Sequence, residues 1–297
     1  MGYDSNFKAP MMIPMGAYRT PFSEESSMQV IAVTGGKGGV GKTNIAVNLS
    51  VSMAREGYDV MLLDADLGLA NVDVVLGMNV SHTLADVFEG RKTLSEVIVT
   101  GPEGVRIVPA ASGVAKLAYL DAAVQTALVR SFSDELSPPD VLIVDTGAGI
   151  DSTVQTFVSA CKTVIVVIND EPASLTDAYA LMKIMRNERG VRRFEVLANQ
   201  VDTPIQGRGV YDRITRVTDK YLDVEVGYLG TVPADPYLKR AVQQRTALVT
   251  AYPRAPAAIA IRDIGRHLMR QASPADVGGM GFFVEQLLEQ ANAAARH

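Results

Sequence analysis

The chain has 297 residues, 47% hydrophobic and 21% charged, enough apolar content for one large domain or two ordinary ones. Its net charge of −5 excludes a protein that is basic all over, so nonspecific nucleic-acid binding would need a local basic patch. One cysteine, Cys161, excludes an intramolecular disulfide framework, and no apolar run approaches the roughly 20 residues of a membrane-spanning helix.

Residues 1–27 mix Pro10, Pro14, Pro21, Met11, Met12 and Ser26 without periodicity, which predicts a flexible N-terminal extension. They lack the basic start and apolar run of a secretory signal. Met1-Gly2 invites a myristoylation reading, but Asn6 stands where that pattern needs Ser or Thr.

From residue 28 onward, short apolar runs alternate with helical patterns. "QVIAVT" (29–34), "DVMLLDA" (59–65), "VRIVPA" (105–110), "DVLIVDT" (140–146), "TVIVVIN" (163–169), "FEVLANQ" (194–200) and "VGYLGTV" (226–232) read as strands. Their continuous apolar character suits strands covered on both faces, as in a parallel sheet. A helix is expected over Thr43–Glu56, stopped by Gly57, and another over 173–190, starting near Ser174 or Thr176 and stopped by Gly190. The expected fold is α/β: a doubly wound, mostly parallel sheet flanked by helices over residues 28–270. A Pro/Gly-rich linker (271–281) then leads to a C-terminal amphipathic helix (282–297), with Phe283, Val284, Leu287, Leu288 and Ala291 on its apolar stripe.

Gly36-Lys37-Gly38-Gly39-Val40-Gly41-Lys42-Thr43 fits G-x-x-x-x-G-K-[ST] between a strand and a helix, the context that makes this motif a phosphate-binding loop. Its backbone amides and the helix N-terminus would cradle phosphate, with Asn44 completing the candidate nucleotide contacts. Lys42 would reach the β/γ-phosphates and the Thr43 hydroxyl would ligate Mg²⁺. Asp64 and Asp145 fall at strand ends, where ligands bind in open α/β sheets, and Asp66 follows closely; helix capping is the bland alternative for each. With one Cys and three scattered His there is no zinc-type cluster, so Mg²⁺ is the expected metal, beside the ATP/ADP that the phosphate loop would hold.

The motif carries a second lysine, Lys37. K-G-G-x-G-K-[ST] resembles the deviant Walker A motif of the MinD/ParA superfamily, P-loop NTPases of the SIMIBI class. The resemblance implies an ATP-dependent homodimer in which Lys37 crosses to the partner's phosphates, an arginine-finger role played by lysine. It further implies that Asp66 positions or deprotonates the attacking water. Asp145 would be the Walker B residue holding Mg²⁺ through water, and Asp64 a further partner of Mg²⁺ or lysine. Asn199 would read the adenine edge, with Pro233 near the ring.

Three stretches, "DADLGLANVD" (64–73), "RIVPAASG" (106–113) and "DEPASLTDAYALMKIM" (170–185), look like the flagellar-number regulators of the FlhG/FleN type. That resemblance implies a slow, switch-like, cytoplasmic ATPase, polar or peripheral to the inner membrane. One branch restrains a σ54-dependent, FleQ-like flagellar transcriptional activator. Another acts with the GTPase FlhF, but residues 1–27 lack the D-Q-x-x-x-L-R-like helix that some members use for this. Two rival readings stay open: a ParA-like DNA-partition ATPase and a MinD-like division-site regulator. For the first, Arg208, Arg213, Arg216 and "MRNERGVRRF" (185–194) offer positive charge, interrupted by Glu188 and Asp212. The polar face of the last helix carries Glu285, Gln286, Glu289 and Gln290, which predicts weak or absent membrane contact.

Overall fold

The computed structural model describes residues 28–66, 72–109, 137–271 and 280–294. The N-terminal extension and most of the expected linker therefore lie outside the described residues.

Among those residues the strands are β1 (Gln29–Thr34), β2 (Val60–Ala65), β3 (Val99–Thr100), β4 (Arg106–Val108), β5 (Val141–Thr146), β6 (Thr163–Ile168), β7 (Arg193–Val201) and β8 (Glu225–Pro233). They form one sheet in the order β3-β4-β2-β5-β1-β6-β7-β8. Only the β3–β4 pair is antiparallel. β1 lies in the middle, and the chain winds outward from it first one way and then the other. That reversal opens a crevice at the carboxyl ends of the strands, where ligands of such sheets bind.

The helices are α1 (Lys42–Arg55), α2 (Val72–Leu76), α3 (Leu84–Phe88), α4 (Leu94–Val97), α5 (Ser152–Ser159), α6 (Pro172–Arg189), α7 (Pro204–Tyr221), α8 (Pro236–Gln243), α9 (Leu248–Ala251), α10 (Pro256–Gln271) and α11 (Met280–Ala294). Alternation along each strand divides the core. Ile31, Val33, Leu62, Ile143, Ile165 and Val167 pack against α1, α9 and α10. On the other face, Ala32, Val164 and Val166 meet α5, α6 and α7, while Val30, Met61, Leu63 and Leu142 meet α3, α4 and α11. Strands buried on both faces need apolar residues at every position, hence the continuous runs in the sequence.

α1 is shifted by one residue from expectation and α11 begins at Met280, inside the expected linker; two further differences have a plain physical reason. β4 stops at Val108 because Pro109 has no N–H to donate to a ladder. α6 begins at Pro172, with Glu171 as its N-cap, rather than at Ser174 or Thr176. Proline suits the first helical position, whose N–H has no intrahelical partner. Ser174 is instead buried inside the helix, where its hydroxyl accepts the Asn169 N–H at 3.2 Å.

The last helix is packed on its own chain. Phe283, Val284, Leu287 and Leu288 are buried with Met28, Phe157 and Ala160. Burying such side chains contributes about 1.5–3 kcal/mol each before ordering costs. Arg189 on α6 fastens the helix by donating to the Gln290 carbonyl at 3.0 Å.

Candidate functional site

The phosphate-binding loop connects β1 to α1 at the carboxyl edge of the sheet. Its glycines are dictated by crowding. Gly41 has φ +94°, and a Cβ there would sit 2.5 Å from the Asn199 amide. A Cβ at Gly36 would collide with the Asp177 carbonyl of α6. Lys42 begins α1 and is 7% exposed, its Nζ 3.4 Å from the Lys37 carbonyl. Burial lowers its pKa, while Asp145 and Asp66 raise it. Gly38 and Gly39 are exposed and Lys37 is half-buried, so the loop's outer part faces away from the core.

Asp64 and Asp145 pair in register on the neighbouring parallel strands β2 and β5. They therefore project from the same face of the sheet. Asp145 is fully buried, and neither of its carboxylate oxygens has a hydrogen bond of ordinary geometry. Burial pushes its pKa up to about 8; the Thr43 hydroxyl and Lys42 pull it down, and Asp64 and Asp66 push it further up. Asp64 accepts the backbone N–H groups of Asp66 at 3.1 Å and Val72 at 3.3 Å. Asp66 itself lies across from Gly147 after β5: a Cβ on that glycine would be 3.2 Å from Asp66 Oδ1.

These features test whether a Mg²⁺-nucleotide fits. Around the loop, Thr34 Oγ1, Asn44 Oδ1 and both Asp145 oxygens are buried without hydrogen-bond partners among the described residues. An unpaired buried carboxylate is costly, and a cation removes the cost. Among the described residues no three Asp, Glu, His or Cys are placed to hold a metal by themselves. Mg²⁺ keeps waters and relies on one or two protein oxygens plus phosphates, a demand that a few oxygens at one strand edge meet. Thr43, Asp145 and Asp64 are the residues that could hold it.

Asn199 and Pro233 lie at the ends of the adjacent strands β7 and β8. Asn199 is buried, and its side-chain amide donates to the Val40 carbonyl at 2.7 Å. The residue thus ties the end of β7 to the phosphate loop. Pro233 is half-buried opposite Val201.

Glu171 and Gln155 went unnoticed in sequence. The Lys37 ammonium forms an ion pair with Glu171, whose other oxygen accepts the Asn169 amide at 2.9 Å. Lys37 is the first cause of the lowered Glu171 pKa. An acid just past the end of a core strand was the available signal. Gln155 donates to the Ile150 carbonyl at 2.9 Å and accepts from Arg189 at 3.0 Å. It links the turn after β5 to the arginine that holds α11. Nothing in its local sequence pointed there.

Five of the arginines considered for a basic face are engaged by acids, Arg193 by Glu195, while Arg189 donates to Gln155 and Gln290. Arg186 and Arg192 pair with Asp223, Arg208 with Asp212, and Arg213 with Asp170. Among the described residues no helix is long and apolar enough to cross a membrane.

The winding of the sheet, the loop between β1 and α1 and the aspartates at the ends of β2 and β5 define a P-loop ATPase of MinD/ParA type. Residues 28–192 match the AAA_31 family, described as an AAA domain, and the chain belongs to it. The chain is 49% identical over 263 residues to the antiactivator FleN of Pseudomonas aeruginosa, a match covering 88% of this chain and 94% of that protein. It is 38% identical to the flagellum site-determining protein YlxH of Helicobacter pylori, over 76% of this chain and 77% of that one. Among solved structures, a chain of the MinC:MinD cell division protein complex of Aquifex aeolicus superposes with a TM-score of 0.67 at 28% identity, covering 82% of this chain and 97% of that one.

Proposed function

We propose that this chain is a Mg²⁺-dependent, slowly hydrolysing ATPase whose ATP-bound dimer limits flagellar number by restraining a σ54-dependent, FleQ-like transcriptional activator. The buried, unpartnered Asp145 carboxylate beside Thr43 and Lys42 is the observation that carries the nucleotide half of this reading. The regulatory half is supported by the similarity to FleN, which extends over nearly the whole of both chains.

The loop amides and Lys42 bind the phosphates. Thr43, Asp145 and Asp64 hold Mg²⁺, which neutralises phosphate charge when bound. Asp66, next to Gly147, orients the attacking water and accepts its proton. Lys37 leaves Glu171 and reaches the partner's phosphates, making the γ-phosphate part of the dimer interface. A ligand shifts an equilibrium only by its differential affinity for the two states, and ADP lacks the group that Lys37 would meet. Asn199 and Pro233 border the base. The protein acts in the cytoplasm, at or near the flagellar pole, with α11 contributing little to membrane attachment.

The decisive experiment counts flagella and measures flagellar transcription in a deletion strain, alongside activator pull-downs with ATP and with ADP. The reading requires excess flagella, raised transcription and ATP-favoured capture. Normal flagellation with misplaced septa would support the MinD-like division-site alternative instead.

A further inference from the structure

We propose that a second ligand site, for a small oxyanion of the phosphate class, lies between α1, α9 and α10, about 20 Å along α1 from Lys42 of the phosphate loop. A cavity of about 200 Å³ opens there. Its polar walls are Ser52, Arg55 and Glu56 at the end of α1 and Arg262 and Arg266 on α10. The volume falls below the range of drug-sized ligands, about 300–1,000 Å³, so it suits one small anion.

Helix packing builds the cavity. α10 rests on α1 at Gly265, which faces Leu49 and Met53. Residues three and four apart on a helix share a face. Arg262 and Arg266 therefore stand on one face of α10, and Ser52, Arg55 and Glu56 meet them from the last turn of α1. The Arg55 guanidinium is fixed in place by donating to the Val249 carbonyl at 2.6 Å. Val249, Pro253 and Ala258 supply the apolar part of the wall.

The charges on these walls do not balance. Three guanidiniums stand against one carboxylate, which leaves two positive charges over. That carboxylate, Glu56, is taken by Arg266 at 2.7 Å. Outside the cavity, Glu103 is 3.9 Å from Arg55 Nε and Asp263 is 3.7 Å from Arg266, both too far for a hydrogen bond. The Arg262 Nε is buried and has no hydrogen-bond partner among the described residues. A buried unpaired donor is costly, and an acceptor removes the cost. The surroundings tilt the same way. Residues 236–271 carry seven Lys and Arg against one acid, Asp263, in a chain whose net charge is −5. A dianion answers a surplus of two charges better than a lone carboxylate does. Phosphate oxygens also match the planar fork of guanidinium in pairs, and the Ser52 hydroxyl is a further donor.

The test uses the full chain saturated with Mg²⁺ and a non-hydrolysable ATP analogue, so that the phosphate loop and its γ-phosphate position are filled. Inorganic phosphate and glycerol phosphate are titrated by calorimetry at constant ionic strength, which holds general screening fixed. At least one should bind saturably, once per chain. The tighter of the two distinguishes free phosphate from a phosphomonoester as the source. Arg262→Met keeps the apolar stem and removes the charge. It should weaken binding about tenfold or more, as expected for hydrogen bonds between charged groups. Glu56→Gln removes the competing carboxylate from an exposed position and should tighten binding, which keeps the test valid even if Arg262→Met folds poorly. Absence of saturable binding, binding unchanged in Arg262→Met, or binding that Glu56→Gln fails to tighten would each overturn the proposal. Capture of a short DNA duplex without binding of either small anion would overturn it too, in favour of a nucleic-acid surface.

Discussion

The Lys37 ammonium is held by Glu171, the N-cap residue of α6, whose side chain caps none of its own helix's amides. Glu171 therefore competes for the lysine that, in the proposed dimer, faces the partner's phosphates. Exposed ion pairs contribute little to stability, so Glu171→Gln should leave it almost unchanged. Freeing Lys37 from its competitor should modestly strengthen ATP-driven dimerisation. Sedimentation with ATP in an Asp66→Ala background measures this, with Lys37→Ala as the weakening control. If Glu171→Gln weakens the dimer as Lys37→Ala does, Glu171 acts within the dimer rather than against it.

Lys42→Ala should lower ATP affinity by about tenfold or more, since it removes charge-assisted contacts to phosphate. Asp66→Ala should bind ATP normally and lose turnover. Calorimetry and phosphate release separate the two, and equal ATP affinity in Lys42→Ala and the parent would contradict the cradle assignment.

Asp145 makes the stability of the nucleotide-free protein depend on pH. Its folded-state pKa of about 8 lies above the ordinary 3.8 because of burial. Between these values the folded chain keeps a proton that the unfolded chain has released. Stability should therefore be greatest near and below the lower value and should fall as pH rises through the higher one. Denaturant titrations across pH 4–8 should show this slope. Asp145→Asn should flatten it, and so should saturating Mg²⁺ with ATP.

Asn199 distinguishes base reading from loop clamping. Asn199→Ala removes the 2.7 Å bond to the Val40 carbonyl and leaves that buried acceptor unpaired, a loss of about 1–3 kcal/mol. If Asn199 reads adenine, the preference for ATP over GTP should collapse in this variant. If it serves the loop alone, affinity for both nucleotides should fall together. Competition binding with the two nucleotides decides.

Leu287→Ala should loosen α11 by about 2–5 kcal/mol, the usual range for a buried leucine. Because α11 covers the sheet from outside and adds no strand to it, it should undock as a unit while the sheet stays folded. Hydrogen exchange should rise in α11 and in Phe157 of α5, and Arg189→Ala should show a weaker form of the same pattern. Liposome flotation should remain weak in both, because Glu285 and Glu289 face outward; strong ATP-dependent flotation would reverse that view.

The sequence by itself determined every described strand but the two-residue edge strand β3, together with the phosphate loop and the aspartates at the strand ends. Each is a local matter: a doubly covered strand needs an unbroken apolar run, and a phosphate cradle needs closely spaced glycines. The K-G-G-x-G-K-[ST] spacing was local too, and the family followed from it. Relations between distant segments were decided only by the tertiary structure. That Glu171 holds Lys37, that Gln155 and Arg189 join the turn after β5 to α11, and that Arg55 and Arg262 line one cavity all depend on which elements become neighbours. Strand order leaves no periodic trace in a chain whose contacts span more than a hundred residues. It arises when the two faces of the sheet are covered, and only then do these polar groups meet.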